Sequence, residues 1–98
     1  MLTSKQRAYL RAQANALEPI LHAGKGGISD TMVKQAEDAL TARELIKGRV
    51  LETAPATARD TAEDIAARTG AEVVQVVGRT FVLFRQKAKD SQYTLPRK

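Results

Sequence analysis

The chain has 98 residues, which is enough for one compact domain and too few for two separate hydrophobic cores. Hydrophobic residues make up 43%, charged residues 28%, and the net charge is +5, a balance typical of a folded globular domain rather than a disordered chain. The sequence has no cysteine, which excludes disulfides and thiolate metal sites, and its one histidine, His22, cannot form a zinc site alone. No apolar run is long enough for a secretory signal or a membrane span, so we expect a soluble, cytoplasmic protein.

The excess positive charge is concentrated at the two ends of the chain. Residues 85–98 carry five basic and one acidic side chain, and residues 1–30 carry four basic and two acidic ones. Residues 31–84 are close to neutral, with seven basic and eight acidic side chains. This segregation favours a polyanionic partner, although a modest basic excess is also compatible with a role in solubility alone.

The first predicted element is an amphipathic helix. Thr3 and Gln6 have the spacing of an N-terminal capping box, and apolar residues then recur at helical spacing through Leu17. Pro19 ends this helix and opens a short apolar strand that continues to Ala23.

A second helix and a second strand are predicted after a glycine turn. Ser29 or Asp30 is the expected N-cap, and the helix ends near Ala42. Residues 44–51 then have the composition of a strand, with Lys47 and the alternate residues around it on one face.

The last predicted elements are a third helix and a hairpin. The helix begins near Ala58 and ends at Gly70, a left-handed C-cap. Two β-rich runs, 73–77 and 80–85, are separated only by Gly78-Arg79, the length of a tight hairpin turn. The order α-β-α-β-α-β-β predicts a single α/β domain with a mixed four-stranded sheet covered by helices.

A glycine-rich turn, Gly24-Lys25-Gly26-Gly27, lies between the first strand and the second helix. Glycine permits positive φ and lets another backbone approach closely, and a helix N-terminus attracts anions. Lys25 adds a mobile cation, so this G-x-x-G loop has the chemistry of a clamp for a nucleic-acid backbone. The structural alternative is a tight turn that simply requires glycine. The spacing is neither that of a Walker A motif nor that of a dinucleotide-binding fingerprint.

Further basic side chains are candidate phosphate contacts, although each alone is more often a solvated surface charge. They lie on the first helix, on one face of the second strand and at the hairpin tip: Arg7, Arg11, Lys47, Arg49 and Arg79. The third helix is rich in acidic residues, so we expect it to face away from a nucleic acid.

The sequence contains no catalytic constellation. Ser29, Asp30 and His22 lie close together, but the first two are explained as helix caps and His22 as a packed or rim residue. Phe81 and Phe84 lie in the most apolar strand, where core packing explains them better than base stacking. We therefore expect a protein that is not an enzyme and that needs no cofactor, metal or small-molecule substrate.

Six short motifs occur in a specific order and spacing along the chain. They are Leu2-Thr3-Ser4-Lys5-Gln6-Arg7, Gly24-Lys25-Gly26-Gly27-Ile28, Glu44-Leu45-Ile46-Lys47, Thr69-Gly70-Ala71, Val76-Val77-Gly78-Arg79-Thr80 and Leu95-Pro96-Arg97. Together they closely resemble the bacterial YhbY family, stand-alone versions of the CRM (chloroplast RNA splicing and ribosome maturation) domain. The resemblance covers nearly the whole chain.

This resemblance implies a fold similar to the C-terminal domain of translation initiation factor three and related in shape to KH domains. It also implies RNA binding and association with precursors of the large ribosomal subunit. The family's G-x-x-G loop corresponds to Gly24 to Gly27, with its basic residue at Lys25. One departure is Gly48, where family strands usually carry an apolar side chain, and we expect it to weaken the strand locally.

We predict a CRM-type RNA-binding domain over residues 1–86, followed by a basic tail over residues 87–98. The protein is expected to be a monomer that grips ribosomal RNA of large-subunit precursors and assists ribosome assembly. The predicted RNA contacts are Gly24, Lys25, Gly26, Gly27, Arg7, Arg11, Lys47, Arg49 and Arg79. Two alternatives remain open: a DNA-binding architectural protein, and a protein-interaction module whose glycine turn is purely structural.

Overall fold

The computed structural model describes residues 2–86, so the predicted tail at 87–98 lies outside the described residues. Helices and strands follow the predicted order. They are α1 (Ser4–Ala14), β1 (Leu21–Ala23), α2 (Asp30–Arg43), β2 (Leu45–Val50), α3 (Ala58–Thr69), β3 (Glu72–Val77) and β4 (Thr80–Phe84). Within residues 2–86, none of the helices combines the length and apolar character that crossing a membrane requires.

Side-chain caps explain where the helices begin and end. The Thr3 hydroxyl accepts from the Gln6 amide at 3.1 Å, and the Gln6 side chain accepts from the Thr3 amide at 3.0 Å, so the predicted capping box forms. Ser29, rather than Asp30, caps α2 by accepting from the amide three residues on. Each such cap contributes about 1 kcal/mol to stability. Gly70 closes α3 with a φ of 74°, as predicted.

Several boundaries differ from the prediction. Helix α1 ends at Ala14 rather than near Leu17, and β2, β3 and β4 each differ by one residue at one end, at Val50, Glu72 and Phe84.

The starts of β1 and β2 differ for identifiable reasons. The prediction starts β1 at Pro19, but the strand begins at Leu21, although the Ile20 amide already donates to the backbone of β2. The prediction also includes Glu44 in β2, whereas Glu44 closes α2 with a φ of 68°. A positive φ is rare for a residue with a β-carbon and costs about 1–3 kcal/mol, so the composition of this segment predicts a strand at Glu44 instead.

The four strands form one mixed sheet in the order β1-β2-β4-β3. β1 is parallel to β2, whereas β4 is antiparallel to both β2 and β3, so β4 lies between the two strands that precede it in sequence. Helix α1 packs on one face of the sheet, and α2 and α3 pack on the other. The sheet therefore separates two hydrophobic cores.

The two cores differ in size. The larger, between the sheet and α2 and α3, includes Leu21, Ala36, Leu40, Ile46, Ile65, Phe81 and Leu83. The smaller, between the sheet and α1, consists of Leu10, Ala14, Leu45, Val74, Val82 and Phe84. Both phenylalanines are thus core residues, as predicted. Because the smaller core involves only one helix, α1 covers only part of its face of the sheet.

Gly48 lies within β2, which continues through it without interruption. A β-carbon at this position would lie 2.3 Å from Cζ of Phe81, closer than any real contact of this kind. Gly48 therefore has a packing reason, because the buried Phe81 ring occupies the space that a side chain at position 48 would fill; the expected local weakening stays a prediction.

Candidate nucleic-acid interface

The glycine loop is a tight turn that presents two residues to solvent. The Gly27 amide donates to the Gly24 carbonyl at 2.9 Å, and the two glycines form an isolated antiparallel bridge. Lys25 and Gly26, between them, are both exposed. The loop therefore displays one cation and one uncovered stretch of backbone at its tip.

The glycines of this loop have different structural reasons for being there. Gly27 has a φ of 68°, and a β-carbon on it would lie 3.3 Å from Cγ of Pro55, so the turn itself requires glycine at this position. A β-carbon on Gly26 would meet nothing within 4 Å, and Gly26 has no positive φ. The fold therefore leaves open space beside Gly26, and packing does not require glycine at this position.

The partial positive charge at the N-terminus of α2, the helix that follows the loop, is already partly neutralised. The Ser29 hydroxyl accepts from the Met32 amide at 3.1 Å, and Asp30 places a carboxylate in the first turn. A carboxylate there already interacts favourably with the helix dipole. An incoming phosphate would consequently depend on Lys25 and the loop backbone more than on the end of α2.

Hydrogen bonds hold the loop beside the β3–β4 hairpin. The Leu51 amide donates to the Ala23 carbonyl at 2.8 Å, and the Val50 amide donates to the Arg79 carbonyl at 2.7 Å. Because Val50 and Leu51 are consecutive, the glycine loop and the hairpin tip flank the same end of β2. Lys25 and Arg79, which are 54 positions apart in the sequence, are thus brought to one end of the sheet.

Lys47 and Arg49 approach the same end along β2. Both are on the face of the sheet that α1 covers in part, because their neighbours Ile46 and Val50 belong to the opposite core. Lys47 is half-buried and Arg49 is exposed. The predicted common face for these two side chains is confirmed.

Arg79 has a carboxylate partner that the sequence analysis missed. Its Nη2 atom lies 3.4 Å from Oε1 of Glu52, and both side chains are largely exposed. The contact joins a loop to a hairpin that are distant in sequence, so no local pattern could have indicated it.

The two arginines of α1 have different environments. The Arg7 Nη1 atom donates to the carbonyl oxygens of Val73 and Val74, which ties α1 to β3. Arg11, one turn further on, is exposed. Arg7 therefore helps to hold α1 against β3, in addition to any contact with RNA, whereas the exposed side chain of Arg11 is available to a partner.

Ion pairs divide the described residues into two groups of basic side chains. Four cations on α2, on α3 and just after β4 pair with carboxylates: Lys34 with Asp38, Arg59 with Glu63, Arg68 with Asp64 and Arg85 with Glu37. Within residues 2–86, no carboxylate lies within 4.0 Å of the cations of α1, the glycine loop and β2, namely Lys5, Arg7, Arg11, Lys25, Lys47 and Arg49. Apart from Arg43 at the C-terminal end of α2, the cations of residues 2–86 that have no carboxylate within 4.0 Å therefore lie on α1, the glycine loop and β2.

Relatives of this chain are found in bacteria and archaea. It is 43% identical to "Probable RNA-binding protein YqeI" of Bacillus subtilis, over 98% of this chain and 100% of the relative. It is 38% identical to a protein of Methanocaldococcus jannaschii named "Probable RNA-binding protein MJ0652", over 94% of this chain and 69% of the relative. A Haemophilus influenzae protein named "RNA-binding protein" is 32% identical, over 99% of this chain and 97% of the relative.

A solved structure and a family model both match this chain over nearly its whole length. The solution structure of the hypothetical protein SAV1595 from Staphylococcus aureus has a TM-score of 0.82 and 42% identity to this chain, covering 98% of it and 100% of the neighbour. The model of the CRS1 / YhbY (CRM) domain matches residues 2–85, which include the glycine loop, the hairpin and all four strands. The chain therefore belongs to the CRS1 / YhbY (CRM) domain family.

Proposed function

We propose that this protein binds RNA through the glycine loop and the neighbouring basic side chains, and that its target is ribosomal RNA in precursors of the large subunit. In this role it assists ribosome assembly in the cytoplasm as a monomer and catalyses no reaction. The names of its relatives support RNA as the partner. The assignment to ribosomal precursors rests on the resemblance to the YhbY family.

The observation that carries the proposal is the unequal compensation of charge. Among the described residues, three of the four cations on α2 and α3 have carboxylate partners, whereas Lys25, Lys47 and Arg49 have none within 4.0 Å. Unpaired cations are available to phosphates, and release of counterions from RNA then favours binding. The open space above Gly26 lets a phosphodiester approach the loop backbone, as in a G-x-x-G clamp.

Reversal of the loop charge tests this proposal. Lys25→Glu removes one attractive contact and adds a repulsive one, so it should weaken RNA binding by about 1–3 kcal/mol. Lys25 is exposed, so the melting temperature should change little. The matched control is Arg43→Glu, which makes the same charge change on an exposed residue at the opposite end of α2.

The two variants should be compared by fluorescence anisotropy with a structured ribosomal RNA fragment and with duplex DNA at one salt concentration. Their cosedimentation with ribosomal particles in cell lysates should be followed in parallel. If Lys25→Glu binds RNA and joins large-subunit precursors as the parent does, the loop is only a turn. Stronger binding to duplex DNA than to RNA would favour an architectural DNA-binding protein instead.

A further inference from the structure

One row of residues crosses all four strands on the α1 face of the sheet. His22 on β1 is the register partner of Arg49 on β2, Arg49 is opposite Thr80 on β4, and Thr80 is opposite Val77 on β3. Register partners project from the same face of a sheet. Leu21 and Ala23, on either side of His22, belong to the opposite core, which assigns the whole row to the face of α1.

Helix α1 leaves this row uncovered. Its residues Leu10 and Ala14 pack over Val82 and the strand ends beyond it, and Val82 is fully buried. His22 and Arg49 are exposed, Thr80 is half-buried, and Val77 is 61% exposed. Lys47 and Gln75, the two register partners of Val82, are half-buried at the border of α1. We call these six residues the open strip: His22, Lys47, Arg49, Gln75, Val77 and Thr80.

We propose that the open strip binds two or three unpaired nucleotides of the RNA whose backbone the glycine loop grips. This inference rests on the function proposed above and adds the class of RNA. The strip begins where the loop begins, since Lys25 follows His22 by three positions. A strand leaving the loop therefore continues directly onto the sheet.

The chemistry of the open strip suits a single strand. Lys47 and Arg49 are cations for phosphates, and the strip itself contains no carboxylate. Gln75, Thr80 and His22 offer hydrogen-bonding groups for base edges and 2′-hydroxyl groups.

The shape of this face disfavours a duplex. Four strands spaced about 4.8 Å apart span roughly 14 Å, a width that holds two or three bases on other sheet-based RNA-binding domains. On one side α1 rises above the sheet as a wall roughly 10 Å thick. A rigid duplex cannot lie flat beside this wall, whereas a flexible single strand can.

The test compares two probes, a short oligouridine and a blunt RNA hairpin with the same number of phosphates. The double substitution Gln75→Ala/Thr80→Val removes two polar groups and leaves every charge in place. It should reduce affinity for oligouridine about tenfold, the effect of losing one or two hydrogen bonds, and leave hairpin affinity and the salt dependence unchanged. Gln35→Ala, which removes an exposed amide from α2 on the opposite face, should change neither affinity.

The outcomes separate this inference from the function on which it rests. If the parent protein binds neither probe, the proposed RNA-binding function fails. If the parent binds both probes and the double variant binds oligouridine equally well, the open strip is overturned while RNA binding stands. An equal loss for both probes also overturns the selectivity for unpaired nucleotides. Since Thr80 is half-buried, His22→Ala serves as a second variant at an exposed position, with the same expected pattern.

Discussion

The ring of Phe81 lies against the backbone of Gly48, its register partner on the neighbouring strand. Three ring atoms, Cζ, Cε2 and Cε1, are within 2.3, 2.6 and 2.9 Å of where a β-carbon on Gly48 would stand. Phe81 is fully buried, so other side chains of the larger core surround the ring. An aromatic side chain that covers a strand glycine restores packing that the glycine cannot provide.

This arrangement predicts a strong effect of a single methyl group. Gly48→Ala should lower the free energy of unfolding by about 1–3 kcal/mol, because the core must shift to admit it. Phe81→Leu alone should also destabilise the domain, but it should relieve the clash. The double variant should therefore lose less than the two single variants together, as measured by urea denaturation. If the losses of unfolding free energy in the two single variants simply add in the double variant, Gly48 and Phe81 are not in contact.

The loop glycines should respond differently to substitution. Gly27→Ala should destabilise the domain by about 1–2 kcal/mol, because its φ of 68° is unfavourable for alanine and Pro55 lies close by. Gly26→Asp should leave the melting temperature nearly unchanged, since the added side chain meets open space, and should weaken RNA binding by charge repulsion. Unchanged RNA binding by Gly26→Asp would mean that no phosphate approaches the loop tip.

Substitutions of the two arginines of α1 should also differ in their effects on stability and RNA affinity. Arg7→Gln should lower the free energy of unfolding by about 1–2 kcal/mol, because the Val73 and Val74 carbonyls lose a charged donor. Arg11→Gln should leave stability unchanged and reduce RNA affinity modestly. The free energy of unfolding should be measured by chemical denaturation, and the RNA affinity by fluorescence anisotropy, for both variants. Equal stability and equal loss of affinity for both variants would mean that Arg7 faces the RNA as well.

Glu52 should compete with RNA for Arg79. Glu52→Gln removes the carboxylate 3.4 Å from the guanidinium, so RNA affinity should rise about twofold, in keeping with an exposed pair worth about 0.2–1 kcal/mol. Glu63→Gln is the control, because it raises the net charge equally but frees Arg59 on α3 instead. Equal gains from both variants would indicate a general charge effect rather than release of Arg79.

Salt should weaken binding in proportion to the number of phosphates contacted. About three to five contacts on single-stranded RNA predict a slope of about −2 to −4 in a plot of log affinity against log salt concentration. Lys25→Gln should reduce the magnitude of this slope by about 0.7, the contribution of one phosphate. A flat dependence in the parent protein would exclude the electrostatic mechanism.

Features set by neighbouring residues were predictable from the sequence. The capping box of Thr3 and Gln6, the Gly70 C-cap and the tight hairpin turn at Gly78 each depend on a few adjacent positions. The insertion of β4 between β2 and β3 was not predictable, because several strand orders satisfy the same hydrophobic pattern.

For the candidate site, the sequence predicted the position of the loop and the shared face of Lys47 and Arg49. It could not predict the bond from Arg7 to β3 or the ion pair of Arg79. Both contacts depend on how distant segments pack, and neither leaves a local pattern.

The irregularity of β3 has a consequence for self-association. β3 is an edge strand, and its pairing with β4 shifts register between Val73 and Gln75. At the same place Arg7 occupies the carbonyls of Val73 and Val74. A regular edge with free carbonyls is a template on which another chain can extend the sheet and begin to aggregate. The bulge and the arginine together interrupt that template, so loss of Arg7 is expected to leave this edge of the sheet more open to such pairing.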